Sequence, residues 1–556
     1  MGSSNKKKLR MVSLGGIGEI GKNMMVMELD DDLMIIDAGV MFPEDDMLGV
    51  DLVIPDITYL LENRERIRGI FLTHGHEDHI GAVPYMLKQI NIPVYGTKLT
   101  LGLLRLKLQE HNLERSTVLH EVKAGDRIQV GAFDVEFVHV NHSIPDVVAI
   151  AVHTPLGIVI YCSDFKFDQT PIDGKVADFH KLCELGQKGV LCLMSDSTNA
   201  EQPGYTESER TVGETFARIF ARAEGRILVA TFASNVHRLQ QIVDAAAVEG
   251  RKICVVGRSM VNVVSISQEL GYLQIPDDML IDVEDADKIP PNKLVVITTG
   301  SQGEPMSALT RIAMAEHRKL EISKGDTVII SANPIPGNEK SVGKIINHLF
   351  KEGANVVYEP HLGIHTSGHA NQEELKLLLN LTRPKYFIPI HGEHRMLMKH
   401  AELAESVGVP KENIFISEIG LVMEFTKNSF QARERVASGQ VFVDGLGVGD
   451  VGNIVLRDRR QLSSDGILIV VVTINKQNGT VLAGPDIVSR GFVYVRESER
   501  LMEESREKVK AVLEELESQG VKEWGALKSS VRETLSRYLY EKTKRRPMIL
   551  PIIMEV

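Results

Sequence analysis

Cysteine is scarce in this chain: its 556 residues include four, Cys162, Cys183, Cys192 and Cys254, and no C-x-x-C pair. That pattern implies no disulfide framework and suits free thiols in a reducing compartment. Long apolar runs are also missing. Without 18 consecutive apolar residues no membrane-spanning helix is expected. The lysines near residue 6 are not followed by the apolar stretch of a secretory leader, and position 6 is Lys where a myristoylation motif wants Ser or Thr. The expectation is a cytoplasmic protein that does not engage membranes. Positive charge is in short supply too, with a formal net charge of -12, which argues against wholesale coating of nucleic acid. Basic residues instead gather locally, at Lys6, Lys7 and Lys8, at Arg457, Arg459 and Arg460, and at Lys542, Lys544, Arg545 and Arg546, so a polyanion would have to bind a local groove. There is no internal repeat and no low-complexity tract.

What is present is length enough for two or three domains, each with its own core. Apolar runs at 24–27 and 33–36 flank Asp30, Asp31 and Asp32 and predict a hairpin. Strand-like runs recur at 133–140, 157–162 and 189–194, with helices predicted at 83–90 and 99–110. From about 211 the texture becomes a regular alternation. Strands are predicted at 226–230, 252–256, 293–298 and 326–330, and helices at 235–248, 260–270, 306–320 and 340–352, the pattern of a parallel-sheet unit. A strand at 385–390 then resumes the earlier pattern, so the second unit reads as an insertion into the first. Beyond Gly439 a Gly- and Val-rich stretch leads to two helices with apolar spacing at Val509, Val512, Leu513 and Leu516, and at Leu527, Val531, Leu535 and Leu539.

The densest chemistry lies in His74-Gly75-His76-Glu77-Asp78-His79, an H-x-H-x-D-H loop directly after the β-prone run 69–73. Ligands at the C-terminal end of a strand are held by rigid backbone and presented by a loop. Imidazoles with a carboxylate suit zinc, or manganese as second choice. A two-metal centre needs more ligands than His74, His76, Asp78 and His79. Polar residues that follow other apolar runs supply them: His142, Asp164 and His391. In this arrangement His74, His76 and His142 hold one ion, Asp78, His79 and His391 the other, and Asp164 bridges. Two ions roughly 3.5–4 Å apart can share a hydroxide, bring its pKa to about 7 and stabilise attacking and leaving oxygens of a phosphoryl displacement.

These residues carry a resemblance. HGHEDH at 74–79, NHSIPD at 141–146, SDFKFD at 163–168, SDSTN at 195–199, HTSGH at 365–369 and PIHGEHR at 389–395 resemble bacterial ribonuclease J, as do LGGIGEIGKN at 14–23, RLQQ at 238–241, GSQGEPM at 300–306, GNIVLRDRR at 452–460 and EKTKRRPMILPIIMEV at 541–556. The resemblance spans nearly the whole chain. It implies an α/β fold of the metallo-β-lactamase superfamily: an αββα sandwich over 1–210 and 353–430, a β-CASP α/β domain inserted at 211–352, a linker at 431–452 and a small α+β domain at 453–556. It implies 5′-to-3′ exonucleolytic and endonucleolytic hydrolysis of single-stranded, 5′-monophosphorylated RNA, in mRNA decay and rRNA maturation. The implied cofactors are two zinc ions per subunit, with manganese or magnesium able to serve in activity, and a structural calcium for which Asp51 and Asp444 are candidates. The implied assembly is a homodimer or homotetramer, or one with a paralogous subunit.

By position in those motifs, Asp196 buttresses the metal site, Asp78 belongs to the reacting centre and His369 acts beside the scissile phosphate on the departing 3′ oxygen. Phe232, Ala233 and Ser234, together with His365, Thr366, Ser367, Gly368 and His369, form the pocket for phosphate and nucleotide. Ser331 and Asn333 before Pro334 read as a plain turn. Two other readings share the H-x-H-x-D-H loop: a small-ester hydrolase of the same superfamily, which has no need of SDSTN and HTSGH, and a weakly active or inactive RNA-binding paralogue, which need not keep every ligand.

Overall fold

The computed structural model describes residues 8–304, 306–334, 338–426, 429–476, 480–493, 498–521 and 523–556; Lys6, Lys7 and Pro305 of the segments singled out above lie outside them. The chain divides into two compact units, residues 1–42 with 52–441, and residues 43–51 with 442–556. The first holds two sheets packed face to face. Eight strands make one sheet, in the order Phe430–Arg435, Leu421–Phe425, Leu9–Gly15, Met24–Leu29, Asp32–Ile36, Ile67–Phe71, Val94–Gly96 and Leu119–Glu121. Six make the other, in the order Tyr386–Ile390, Val190–Asp196, Gly157–Cys162, Val148–Thr154, Phe133–His139 and Arg127–Val130. Alternating side chains of both meet in one core, Met11, Met27, Met34 and Phe71 against Phe137, Ile150, Val159, Met194 and Ile388. Helix Lys98–Glu110 lies on the outside of the first sheet, and helices Phe179–Lys188, Gln372–Thr382 and His394–Ser406 pack outside the second. This is the αββα arrangement that the resemblance implies.

The inserted region forms a third sheet of six parallel strands, in the order Leu280–Ile281, Lys252–Val256, Leu294–Thr298, Ile227–Ala230, Thr327–Ile330 and Asn355–Val357. Its last strand lies just past 352, where helix Glu339–Lys351 turns back onto the sheet. The helix expected over 306–320 is confined to Ala308–Ala313. The carbonyl of Arg311 takes the N–H groups of both Glu316 and His317, and Ala315 between them sits at φ 57°, which ends the helical ladder without any glycine or proline to announce it.

In the second unit, strands Val481–Arg490, Ile467–Ile474 and Met548–Glu555 form a sheet in that order. Leu468, Val470, Val472 and Ile474 point from it toward helices Glu499–Ser518 and Trp524–Thr543, where Val509, Leu513, Leu527, Val531, Leu535 and Leu539 are buried. The start of the stretch expected as a linker at 431–452 is part of a sheet: strand Phe430–Arg435 hydrogen-bonds antiparallel to Leu421–Phe425. Among the described residues no helix is long and apolar enough to cross a membrane.

Candidate metal centre

Strand Ile67–Phe71 runs parallel to Asp32–Ile36, and both end at the same edge. Just beyond, the N–H and hydroxyl of Thr73 each donate to Asp37 at 2.8 Å, so the HGHEDH loop starts from a fixed point. The segment after Asp37 passes so close to the loop that a Cβ on Gly39 would stand 1.6 Å from the carbonyl oxygen of Asp78; no other residue fits there. His391 and Asp164 follow strands of the second sheet, and His142 follows Phe133–His139 of the same sheet. Ligands from two sheets therefore converge on one edge of the sandwich.

They converge as two clusters. In the first, the Nδ1 of His76 lies 3.1 Å from the Nε2 of both His74 and His142, and the Oδ2 of Asp164 lies 3.7 Å and 3.5 Å from those same two Nε2 atoms. In the second, the Oδ2 of Asp78 lies 3.5 Å from His79 Nε2 and 3.2 Å from His391 Nε2, while Asp164 Oδ1 lies 3.3 Å and 3.6 Å from them. The carboxylate of Asp164 thus turns one oxygen to each cluster.

Outer hydrogen bonds decide which way the rings face. The hydroxyl of Thr73 gives its proton to Asp37, so it accepts from His74 Nδ1 at 3.0 Å. His142 Nδ1 donates to the Gly368 carbonyl at 2.7 Å, and His79 Nδ1 donates to Asp37 at 2.7 Å. In the neutral rings this leaves the Nε2 lone pairs of His74 and His142 aimed at His76 Nδ1, and that of His79 aimed at two carboxylates. Lone pairs and carboxylates facing one another at 3–4 Å need positive charge between them. Burial pushes His74 and His142 well below the ordinary histidine range and His76 to about 4, so these rings are in the neutral form that binds metals. Burial works the same way on His79 and His391 but is outweighed, first by Asp164, so both hold a proton that a cation would displace. The donor set fits divalent ions of the zinc or manganese kind.

A third grouping, Asp164, Asp196, His369 and His391, shares members with the second. Asp196 is already fully engaged: Oδ2 accepts from His369 Nδ1 at 2.8 Å, and Oδ1 accepts from Thr198 N and Oγ1 at 2.9 Å and 2.7 Å and lies 3.3 Å from His391 Nδ1. It orients two imidazoles and has no oxygen to spare for an ion. Burial alone would lower His369, but Asp196 outweighs it and keeps the ring more basic than usual.

The expected phosphate pocket divides. Ser367 Oγ accepts from Asn199 Nδ2 at 3.0 Å and from His369 N at 3.1 Å, which leaves its own proton to give. Gly368 lies against His142, where a Cβ would stand 2.6 Å from the ring. His365 and Thr366 turn inward: His365 Nδ1 meets Arg238 Nη1 at 2.7 Å, and the Thr366 hydroxyl donates to the Glu207 carbonyl at 2.9 Å. Phe232, Ala233 and Ser234 form the half-buried turn between strand Ile227–Ala230 and helix Val236–Val248. They connect to the loop indirectly, through Thr231 and Ser331 to Ile364. Ser331 lines no opening of its own, since its hydroxyl is bonded to that Ile364 carbonyl. The calcium candidates are committed to protein donors, Asp51 to Gly445 N and Asp444 to Arg459, and neither joins a metal-type cluster among the described residues.

Sequence reasoning missed three supports: Asp37; Thr198, whose hydroxyl lies 2.8 Å from His391 Nδ1; and Asn23, which donates to the Asp78 carbonyl and lies 3.2 Å from His79 Nε2. Asp37 had a usable signal, because it follows an apolar run as His142, Asp164 and His391 do.

Comparison with known proteins gives a consistent answer along the chain. Family models match in four places: ribonuclease J, beta-CASP domain at 224–349; ribonuclease J C-terminal domain at 454–556; metallo-beta-lactamase superfamily at 17–191; and Zn-dependent metallo-hydrolase RNA specificity domain at 361–417. The chain is 48% identical to ribonuclease J2 of Bacillus subtilis over the full length of both. It is 45% identical to ribonuclease J 1 of Streptococcus pyogenes over 99% of this chain and 98% of that one, and 43% identical to ribonuclease J 2 of Staphylococcus epidermidis over 99% of each. Among solved structures, a protein of unknown function from Enterococcus faecalis aligns over 75% of this chain and 100% of its own, with a TM-score of 0.56 at 18% identity, a likeness of fold.

Proposed function

The chain belongs to the ribonuclease J family, and from that premise we propose that it is a metal-dependent ribonuclease acting on single-stranded RNA. The observation that carries the reading is the carboxylate of Asp164, with one oxygen toward each imidazole cluster and His369 held beside them by Asp196. Two divalent ions, zinc or manganese, would be held by His74, His76 and His142 and by Asp78, His79 and His391, with Asp164 serving both, and when bound would supply a water activated near neutral pH and charge neutralisation at the phosphodiester.

The chain's own groups do the rest. Asp196 fixes His369 through Nδ1, so its other nitrogen, kept protonated by that carboxylate, delivers a proton to the departing 3′ oxygen. Ser367, with the backbone N–H groups and hydroxyl of the 232–234 turn, holds phosphate oxygens without fixed positive charge. That is how a chain of net charge -12 grips a polyanion. On this reading the enzyme degrades 5′-monophosphorylated RNA from its 5′ end and also cuts internally, serving mRNA decay and rRNA maturation in the cytoplasm as a homodimer or homotetramer or beside a paralogous subunit. The sandwich covers 1–210 and resumes, up to 430, only after strand Asn355–Val357, which extends the inserted domain expected at 211–352, and the C-terminal domain covers 453–556. The full ligand set favours cleavage over RNA binding alone.

The test is one RNA sequence prepared with a 5′-monophosphate, 5′-triphosphate or 5′-hydroxyl and incubated with protein loaded with manganese or zinc. Mononucleotides should appear fastest from the monophosphate. A metal-loaded protein inert on all three overturns the reading.

A further inference from the structure

Arg238 opens the RLQQ segment, which neither the ions nor the departing oxygen account for. It lies in the first turn of helix Val236–Val248 and is completely buried. A guanidinium has five N–H donors and no acceptor, and here each donor has a partner. Nε and Nη2 meet the two oxygens of Glu209 at 2.9 Å, Nη1 meets the Ser331 carbonyl at 2.9 Å and His365 Nδ1 at 2.7 Å, and Nη2 also reaches the Thr366 carbonyl at 3.4 Å. The acceptors come from three segments: the crossing into the inserted domain, the end of strand Thr327–Ile330, and the returning loop that carries His369.

The His365 contact has a chemical consequence. Arginine stays protonated in proteins and cannot accept a hydrogen bond. His365 Nδ1 therefore accepts, and the ring's single proton sits on Nε2. A charged ring, with donors at both nitrogens, is incompatible with this contact. Burial first, then the charges of Arg238 and Lys166, holds His365 well below the ordinary histidine range, against a smaller opposite pull from Ser331. Among the described residues Nε2 makes no hydrogen bond to the protein, and it is not among the polar atoms buried without a partner, so its N–H is open to a ligand.

We propose that Arg238 is a positioning residue that locks His365 as a neutral ring protonated on Nε2, so that His365 offers an uncharged N–H to an RNA phosphate oxygen beside Ser367. The inference rests on the ribonuclease reading and adds to it the protonation state of one contact and the residue that sets it. A charge-assisted hydrogen bond is about twice as strong as a neutral one, and a chain that must step through the site nucleotide by nucleotide is better released by the neutral kind.

The charged groups facing the ring are Arg238 with its partner Glu209, and Lys166 with Asp168 at 3.7 Å. The experiment compares the metal-loaded wild type with His365→Ala and His365→Gln on a 5′-monophosphorylated oligonucleotide from pH 6 to 8.5. His365→Ala should raise KM about tenfold, the equivalent of ~1.4 kcal/mol, with kcat changed less than about twofold. His365→Gln, whose amide N–H stands near the Nε2 position, should recover most of the loss. The KM ratio of His365→Ala to wild type should be flat across the range. A ratio that falls toward one as pH rises through about 6.5 identifies a charged donor and overturns the proposal.

The second measurement is the ¹⁵N signature of His365. It should show a single Nε2–H tautomer in the wild type and a mixture in Arg238→Lys, which keeps a charge against Glu209 but loses the fork. A wild-type ring protonated on Nδ1 overturns the proposal whatever the fate of the Arg238 variant. If the wild type cleaves no RNA, the ribonuclease reading fails, and the ¹⁵N result still judges the tautomer by itself.

Discussion

Two largely buried polar regions of the first unit are built on opposite electrostatic plans. In the metal centre, the lone pairs of His74 and His142 face His76 Nδ1, and the carboxylates of Asp78 and Asp164 are balanced within the chain only by protons on His79 and His391 that a cation would displace. Behind the HTSGH loop, the belt formed by Glu209, Arg238 and His365, with Lys166 near Asp168, balances its charges internally. The first region is a cation trap, because a metal can take the place of those protons. The second needs nothing bound and ties the inserted domain to the loop that presents His369. Buried polarity alone therefore does not tell function from scaffold; whether the charges close within the chain does.

The largest effect that separates the regions is at Asp164. Asp164→Ala removes the carboxylate shared by both clusters, so RNA turnover should fall by at least ~1,000-fold and bound metal should drop below two ions per chain, measured by elemental analysis. The metal-free variant should melt below the metal-free wild type, because Asp164 is the carboxylate that holds protons on the buried rings of His79 and His391. Retention of both ions would break the contrast at its centre.

Next in size is the belt. Arg238→Met strands the buried carboxylate of Glu209 and should cost about 3–5 kcal/mol of stability, read from denaturant unfolding of the metal-free protein. Adding Glu209→Gln should recover much of that loss by removing the unpaired charge. Bound metal should stay at the wild-type level in whatever protein remains folded. If the single variant loses less than about 1 kcal/mol, the belt is not a closed charge system and the contrast fails from the other side.

The two regions also differ in how far the sequence discloses them. HGHEDH declares itself because four ligands lie within six residues, and His142, Asp164 and His391 follow from the habit of polar residues at strand ends. Asp37 obeys the same habit, but a single aspartate after a hairpin reads as a turn residue until Thr73 and His79 are seen to converge on it. The belt was not legible at all. Arg238 lies 29 positions from Glu209 and 127 from His365, and an arginine in an amphipathic helix reads as a surface side chain. His365 was placed in the phosphate pocket by its position in the HTSGH motif, which says nothing of the inward contact of its Nδ1 with Arg238. Alternation and strand ends gave the sheets because their period is local. The early end of helix Ala308–Ala313 was not readable, since Ala315 carries no turn signal and adopts its positive φ through bonds to Arg311 that exist only in the folded chain.

His400 belongs to neither plan and offers the smallest, most discriminating test. It is buried behind the strand that leads to His391, with Nδ1 3.0 Å from Ser197 Oγ, its ring edge-on to Phe387, and Nε2 without a partner. It has no counter-charge like the belt's and no cation site like the centre's, so burial holds it neutral, its pKa down to about 3, with Asp196 pulling weakly the other way. Because the folded value lies below the unfolded value of about 6.5, the ring is indifferent to pH above that point. As pH falls from about 6.5 toward 3, the unfolded chain takes up a proton that the fold refuses, and stability drops by up to ~1.4 kcal/mol per pH unit. His400→Leu removes that term. Metal-free wild type should therefore lose about 1.4 kcal/mol more than His400→Leu between pH 7.5 and 5.5, and using the difference between the two proteins cancels the protonation of the metal cluster common to both. Equal losses would mean that His400 gains a proton in the fold, and that a buried imidazole here needs neither a metal nor a partner to carry charge, which would undo the electrostatic rule drawn from the other two regions.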